Sequence, residues 1–391
     1  MKSVLIINQH YLTGGIKKSL DNLLPILLER YQVKVVFLCG NNEDFNVKYP
    51  NVILPSPFLI SSYLSSLKDL KKMDLWILRL LLKVICMIVA KLIGYENLIN
   101  TLVFLSKDLG FYDSVISYSH DNWFKNGSFF GGCNELAIKK THTNNRITWI
   151  HGEPYTIGLN KERAHKLFVN FDRIVTVSKA CMKEFVEITN NEYTIDFIYN
   201  ISDIKDIFLK SKNVEYKPSK KLRLVSVGRI SKVAKRIDKI NEIGKILLAK
   251  KIDFEWIVVG SGSELRDCID KSKIYGIDKY IRYLGHKDNP YPYIKESDIL
   301  VLVSDSESLS MVLREALILG TPVITTDFPA SYETVVDGKN GFITGKNVEA
   351  IAEKIIFCVE NPNVLKEMRS YLSAYPVNDE DSINKIYKIL D

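Results

Sequence analysis

Short apolar runs alternating with amphipathic stretches organise this chain. Val4 to Ile7 reads as a buried strand, Asn8 to Thr13 as a polar loop ending in Gly14-Gly15, and Ile16 to Glu29 as a helix with Leu20, Leu23, Leu24, Leu27 and Leu28 on one face. Val33 to Leu38, Val52 to Leu54, Asp113 to Tyr118, Arg146 to Ile150, Arg173 to Val177 and Asp196 to Tyr199 read as further short strands, each followed by polar or turn residues. Asn200 to Lys221 is polar, lysine-rich and contains Pro218, as a linker would be. A new series then begins, with Leu222 to Val227, Phe254 to Val259, Ile281 to Leu284, Ile299 to Val303 and Pro322 to Thr325 as strands. Alternation that restarts after a linker predicts two doubly wound, parallel-sheet α/β domains facing a central cleft. The expected division is residues 1–200, a linker at 201–221 and residues 222–377, with a helix at 378–391 that crosses back onto the first domain.

The most informative stretch is Ser297 to Asp327. Its apolar run is followed by small polar residues and then by a 3.6-residue period, Leu309, Val312, Leu313, Ala316, Leu317 and Leu319, that stops at Gly320. This reading puts Glu307 in the loop beyond a strand's carboxyl end and Glu315 on the following helix, in the crevice where open α/β sheets bind ligands. A carboxylate there accepts hydrogen bonds from vicinal hydroxyls, while backbone N–H groups at the helix start, Ser308, Leu309 and Ser310 among them, attract an anion. Hydroxyls beside a phosphate describe a nucleotide sugar. Spacing alone serves equally well a Glu307 that caps the helix and a Glu315 on a solvated face.

Two other loops have matching chemistry. Val227-Gly228-Arg229 ends the first strand of the second series, and Lys235 follows six residues after the arginine. A planar guanidinium and a mobile ammonium from one loop suit phosphate oxygens. Gly14-Gly15 opens a helix N-terminus, a weaker form of the same signal. His151 follows the Arg146 strand directly and is the histidine a functional reading selects; His120, after the Asp113 strand, ranks second.

Composition narrows the classes. A net charge of +7 fits phosphorylated substrates or an anionic membrane surface, and nothing resembles a zinc finger, an RNP motif or an arginine-rich run, so nucleic acid is not expected. The six cysteines are scattered, which argues against disulfides or zinc and for a reducing compartment. From Phe58 to Asp108 the chain is strongly apolar but laced with charge, too interrupted to span a bilayer. It reads either as a helical excursion packed on the first sheet or as a helix lying on an anionic leaflet, with Trp76 and a basic edge. MKSVLIIN enters a strand with no positive n-region, so the expected location is cytoplasmic, peripheral on the inner face of the membrane.

Glu307, Glu315, Ala316 and Gly320-Thr321-Pro322-Val323-Ile324 together resemble the signature of the retaining glycosyltransferases of family 4, the group 1 transferases. The likeness extends to Gly14-Gly15, Ile150-His151-Gly152, Ser178, Asn200 to Asp203, Gly228-Arg229 with Lys235, Gly260-Ser261-Gly262 and Leu284-Gly285-His286. Two departures stand out: Lys235 lies one residue further from its arginine than is usual, which brings Lys232 and Arg236 into consideration, and Ser308 occupies a place where many members have Gly. The resemblance implies a GT-B fold and a nucleoside diphosphate sugar donor, with no metal and no other cofactor. It also implies a saccharide or lipid-linked saccharide acceptor, in cell-surface polysaccharide synthesis. His151 and Glu307 would act at the sugar; Gly14, Gly15, Arg229, Lys235, Ser308, Leu309, Ser310 and Glu315 would bind the donor. A sugar-nucleotide epimerase of the same architecture and a non-catalytic nucleotide-sugar-binding subunit are the alternatives.

Overall fold

The computed structural model describes residues 1–12, 14–40, 42–124, 126, 128–212, 221–233 and 235–391. The chain divides into two units, Met1–Ile201 with Glu380–Asp391, and Ser202–Asp379.

In the first unit the strands are β1 (Ser3–Asn8), β2 (Gln32–Phe37), β3 (Ile53–Leu54), β4 (Ser114–Ser117), a two-strand ribbon of β5 (Asn122–Trp123) and β6 (Phe129–Phe130), then β7 (Arg146–Ile150), β8 (Arg173–Thr176) and β9 (Ile195–Phe197). Seven of them form one parallel sheet in the order β3-β2-β1-β4-β7-β8-β9. The order reverses between β1 and β4, which places the switch point at their carboxyl ends. Residues of β1 and β4 are buried almost without exception, because helices cover both faces of a parallel sheet. The helix Glu380–Leu390 belongs to this unit: Asn145 Nδ2 donates to the Ile389 carbonyl at 2.8 Å, and Tyr31 donates to Asp391 Oδ1 at 2.8 Å.

Between β3 and β4 the chain makes a helical excursion, Phe58–Leu64, Leu67–Leu70, Trp76–Ile93 and Tyr95–Phe104. Part of it joins the sheet's core, through Ile60, Cys86, Ala90, Leu98, Ile99, Leu102 and Val103. No helix among the described residues is long and apolar enough to cross a membrane.

The second unit carries β10 (Leu222–Val227), β11 (Phe254–Val259), β12 (Ile281–Tyr283), β13 (Ile299–Leu302), β14 (Val323–Thr326) and β15 (Gly341–Thr344). They form a parallel sheet ordered β12-β11-β10-β13-β14-β15, with its reversal between β10 and β13. Its core runs from Leu224, Trp256 and Val258 through Val301 and Ile324 to Ile351 and Ile355.

The structure corrects two boundaries. The stretch read as linker contains a helix, Ile204–Lys210, capped by Asp203, whose carboxylate accepts from the Asp206 N–H at 2.9 Å. The remainder of that stretch, 213–220, lies outside the described residues. The helix after β13 is Met311–Ile318, so Leu309 precedes it and is buried in the loop. All six cysteines are buried free thiols.

Candidate functional site

In the second unit the loops after β10 and β13 stand at the switch point, and side chains join them. Lys235 Nζ lies 2.5 Å from Glu307 Oε1, and the Ser304 hydroxyl donates to the same oxygen at 2.7 Å. Two donors therefore converge on one carboxylate oxygen, and no bond to Oε2 is found among the described residues. The pair is mostly shielded, with Glu307 12% and Lys235 28% exposed, and the stem of Lys235 runs over Gly228. A lysine ammonium has three N–H donors, so the bond to Glu307 leaves two.

A second cross-link lies beside the first. Asp305 accepts from Arg236 Nη1 at 2.8 Å and from Lys239 Nζ at 2.6 Å. Arg236 adopts a left-handed backbone, φ +46°, which a non-glycine residue takes up only when its surroundings enforce it. Asp305 and Asp238 hold its guanidinium and keep its pKa raised, the bond to Asp305 being the larger cause. Lys232 reaches Asp267 at 3.4 Å. Of the three cations considered beside Arg229, Lys235 alone meets Glu307, while Arg236 and Lys232 are engaged elsewhere.

Arg229 is exposed, and no carboxylate pairs with it among the described residues. Its backbone is fixed, however. Gly228 N–H donates to Val259 O at 3.0 Å, Ile230 N–H to Ser261 O at 2.9 Å, and Gly260 N–H to Gly285 O at 2.8 Å. Gly260-Ser261-Gly262 thus lies flush against Gly228 to Ile230: a Cβ on Gly260 would come within 1.8 Å of Gly228 O, and one on Gly262 within 2.0 Å of Ile230 O.

Ser310 takes the N-cap position of Met311–Ile318, yet its side chain forms no cap bond, and its buried hydroxyl has no partner among the described residues. Ser308 lies just before it, half-buried, and Glu315 sits on the helix itself, 3% exposed. Neither Ser304 nor Asp305 stands out in the sequence. Each lies in a run of small polar residues whose only visible signal is Glu307.

In the first unit, the helix Gly15–Leu28 starts after Gly14, and a Cβ on either glycine would meet nothing within 4 Å. Gly15 could therefore carry a side chain, whereas Gly14, at φ +159°, holds a backbone conformation that side-chain-bearing residues rarely adopt. One turn on, Ser19 donates to Asn200 Oδ1 at 2.7 Å and pairs with Tyr118 Oη at 2.6 Å. The Tyr118 ring meets the His151 ring edge-on, with centroids 4.6 Å apart. His151 is tied in this way to the helix that begins at Gly15. Its backbone N–H donates to His120 Nδ1 at 3.2 Å. Burial pulls the His151 imidazole down to about 3, with His120 adding to the fall, and burial pulls His120 down to about 4. Both rings are neutral at pH 7. Nearby, burial lifts Asp121 to about 7, although Asn134 Nδ2 (2.8 Å) and the Gly132 N–H (2.9 Å) both donate to its carboxylate. Tyr118 and Ser19 escape sequence reading because a Tyr inside a strand and a Ser on an amphipathic helix look structural.

Residues 182–375 match the family model described as "Glycosyl transferases group 1". The chain is 26% identical to an N-acetyl-alpha-D-glucosaminyl L-malate synthase of Bacillus anthracis over 50% of its own length and 53% of that protein's. It is 33% identical to the capsular polysaccharide biosynthesis glycosyltransferase CapM of Staphylococcus aureus, over 42% of this chain and 43% of that one. The chain thus spans about half the length of the curated relatives it matches. Among solved structures, Anabaena HepE in complex with UDP superposes with a TM-score of 0.67 at 15% identity, over 100% of this chain and 99% of that one. That likeness shows the fold, the two-domain GT-B architecture.

Proposed function

We infer from residues 182–375, which belong to the group 1 glycosyltransferases, that the chain is a retaining transferase of family 4. It moves a hexose-type sugar from a nucleoside diphosphate sugar to a saccharide or lipid-linked saccharide acceptor in cell-surface polysaccharide synthesis. The observation that carries this reading is the Lys235–Glu307–Ser304 cluster at the switch point, with Arg229, unpaired among the described residues, in the same loop as Lys235.

Breaking the anomeric C–O bond gathers negative charge on the diphosphate and positive charge on the sugar carbon. Arg229 and the two remaining donors of Lys235 meet the departing diphosphate, a role for which fixed positive charge is the largest catalytic resource. Ser308, Leu309 and the buried Ser310 hydroxyl add donors at the helix start. Glu307 presents Oε2 to the sugar hydroxyls, and Glu315 binds the ribose. The acceptor hydroxyl forms the new bond to the anomeric carbon, and its proton passes to the leaving diphosphate. In the first unit, neutral His151 and the open Gly14-Gly15 turn serve the substrates, and residues 58–108 contact an anionic membrane surface. UDP in the structural neighbour makes UDP-sugars the first donors to try.

Two substitutions test the assignment. Glu307→Gln keeps the Ser304 bond and removes the charge; Arg229→Ala removes a cation with no ion-pair partner among the described residues. Nucleotide release from UDP-, GDP-, dTDP- and ADP-sugars should fall about a hundredfold or more in each, while the unfolding free energy of Arg229→Ala changes by no more than about 1 kcal/mol. Turnover equal to that of the unaltered protein in either variant refutes the donor-site assignment.

A further inference from the structure

The helix Trp76–Ile93 is packed inside out. Two of its three charged side chains face the protein, and only Lys91 in the last turn is exposed: Arg79 Nη1 donates to Ser61 Oγ at 2.8 Å and Nε to Asp74 O at 2.9 Å, while Lys83 Nζ reaches Tyr63 O at 2.5 Å and Ser65 O at 3.0 Å. Both cations close off carbonyls and hydroxyls of the helix Phe58–Leu64 and its C-cap Ser65, and below them Cys86 and Ala90 complete the buried line. The opposite face is a continuous apolar stripe at helical spacing, Ile77, Leu81, Val84, Ile85, Ile88 and Leu92, every one exposed and the central Ile85 at 56%. The helix contains no carboxylate. At about 1.5 Å per residue its 18 residues present the stripe over about 27 Å. A monomer in water does not leave a stripe of that extent bare.

We infer that this face is embedded in the interface of an anionic lipid bilayer, with the helix lying parallel to the surface. Three features favour lipid over a second copy of the chain. Exposed lysines flank both ends of the stripe, Lys68, Lys71 and Lys72 before the helix and Lys91 in its last turn, where they reach lipid phosphates. In a twofold pairing of two such helices, parallel or antiparallel, those lysines would meet other lysines. Trp76, the most exposed of the tryptophans at 42%, sits at the end of the stripe, the place such a ring takes at a membrane boundary. Turning Arg79 and Lys83 inward removes from the outer face the charges that would resist insertion. The docking itself stands on this geometry; only its purpose, reaching a lipid-linked acceptor, rests on the transferase reading.

The test uses the full chain and vesicles of phosphatidylcholine with or without roughly 30% phosphatidylglycerol. The unaltered protein should sediment with the anionic vesicles and less with neutral ones, and its tryptophan emission should shift to the blue, a shift that Trp76→Phe removes. Ile85→Glu with Ile88→Glu alters only exposed positions, so the unfolding midpoint should hold while partitioning falls about a hundredfold or more. Absence of partitioning, or equal partitioning by the double variant, overturns the proposal. So does light scattering that shows a lipid-free dimer dissolved by the same double variant, since the stripe would then belong to a second copy. Stabilisation by a nucleotide sugar, measured on the same samples, separates the two ideas: a chain that docks but binds no nucleotide sugar defeats the transferase reading and leaves this one standing.

Discussion

Gly262→Ala isolates the contact that holds the Arg229 loop in place. Gly262 lies outside the left-handed region, so alanine there carries no conformational penalty, and its cost is purely steric. The new Cβ would sit 2.0 Å from Ile230 O, 2.7 Å from its carbonyl carbon and 2.9 Å from its nitrogen. Favourable carbon contacts begin near 3.5 Å, so one backbone segment must retreat by more than about 1 Å. The Ile230 N–H bond to Ser261 O, 2.9 Å, is the link that this retreat breaks. Overpacking of this kind costs about 1–3 kcal/mol. For a domain of roughly 150–250 residues that is about 2–12 °C in the unfolding midpoint. Displacing a substrate-positioning group by about 1 Å costs about a hundredfold in turnover. The matched control is Gly276→Ala, where φ is +66° and the added Cβ meets nothing within 4 Å, so only backbone strain of about 1–2 kcal/mol applies. Differential scanning fluorimetry with and without the preferred nucleotide sugar reads both effects. Gly262→Ala should lose the donor-induced rise, and Gly276→Ala should keep it. If the Gly262 variant melts and binds as the unaltered protein does, the packing of these two loops is not what orients Arg229.

Two further outcomes follow from buried charge. His120 and His151 titrate at about 4 and about 3 when folded, against 6.5 when exposed, so the unfolded state binds more protons below that value. Their contribution is complete above pH 6.5 and is lost as pH falls toward 4. Asp121, lifted to about 7, works in the opposite sense, its contribution being lost as pH rises from about 4 to 7. Urea unfolding at pH 7, 5.5 and 4.5 should therefore show a shallower acid decline in His120→Gln, and identical slopes would contradict the histidine assignment. Arg314→Met addresses the second unit's boundary: Arg314 pairs with Asp379, 11% and 6% exposed, and Asp379 Oδ2 also accepts from the Ser202 N–H at 2.8 Å. Burial already raises the pKa of Asp379 against the pull of Arg314, so loss of the arginine should cost about 3 kcal/mol, and Asp379→Asn in the same background should restore part of it. An unchanged urea midpoint in Arg314→Met would count against the pair.

Most of the architecture is legible in the chain because parallel strands buried on both faces leave unbroken apolar runs. Leu222–Val227 and Ile299–Leu302, for example, stand out at once between polar loops. Glu307 and Lys235 are legible from their places after two of those strands, although their direct bond is not, since contact across 72 positions leaves no local pattern. The helix Ile204–Lys210 was hidden by lysine-rich composition, even though Asp203 and Asp206 mark its start. Its signal is one side-chain cap, weaker than the charge around it. Periodicity finds the helix Trp76–Ile93 but assigns its faces the wrong way round if apolar is equated with inward. What decides the orientation is that Arg79 and Lys83 find carbonyls and hydroxyls on Phe58–Leu64, a partner supplied by the fold.

Under the proposed donor-site assignment, the arrangement of Glu307 bears on how a nucleotide sugar would enter the second unit. An ion pair that had to be broken before a diphosphate could bind would subtract its own energy from the affinity. Here Lys235 and Ser304 each direct one donor to Oε1, leaving two N–H donors of Lys235 and the whole of Oε2 without partners among the described residues. A donor sugar and its diphosphate can therefore add to the cluster without dismantling it, with Glu307 held in one orientation before substrate arrives. Asp305 contributes by keeping Arg236 and Lys239 occupied. Neither cation then competes with Lys235 for Glu307, and the left-handed turn at Arg236 stays closed. In the proposed transfer, pre-organisation of this kind would place the binding energy of the diphosphate on the charge that develops as the anomeric bond opens.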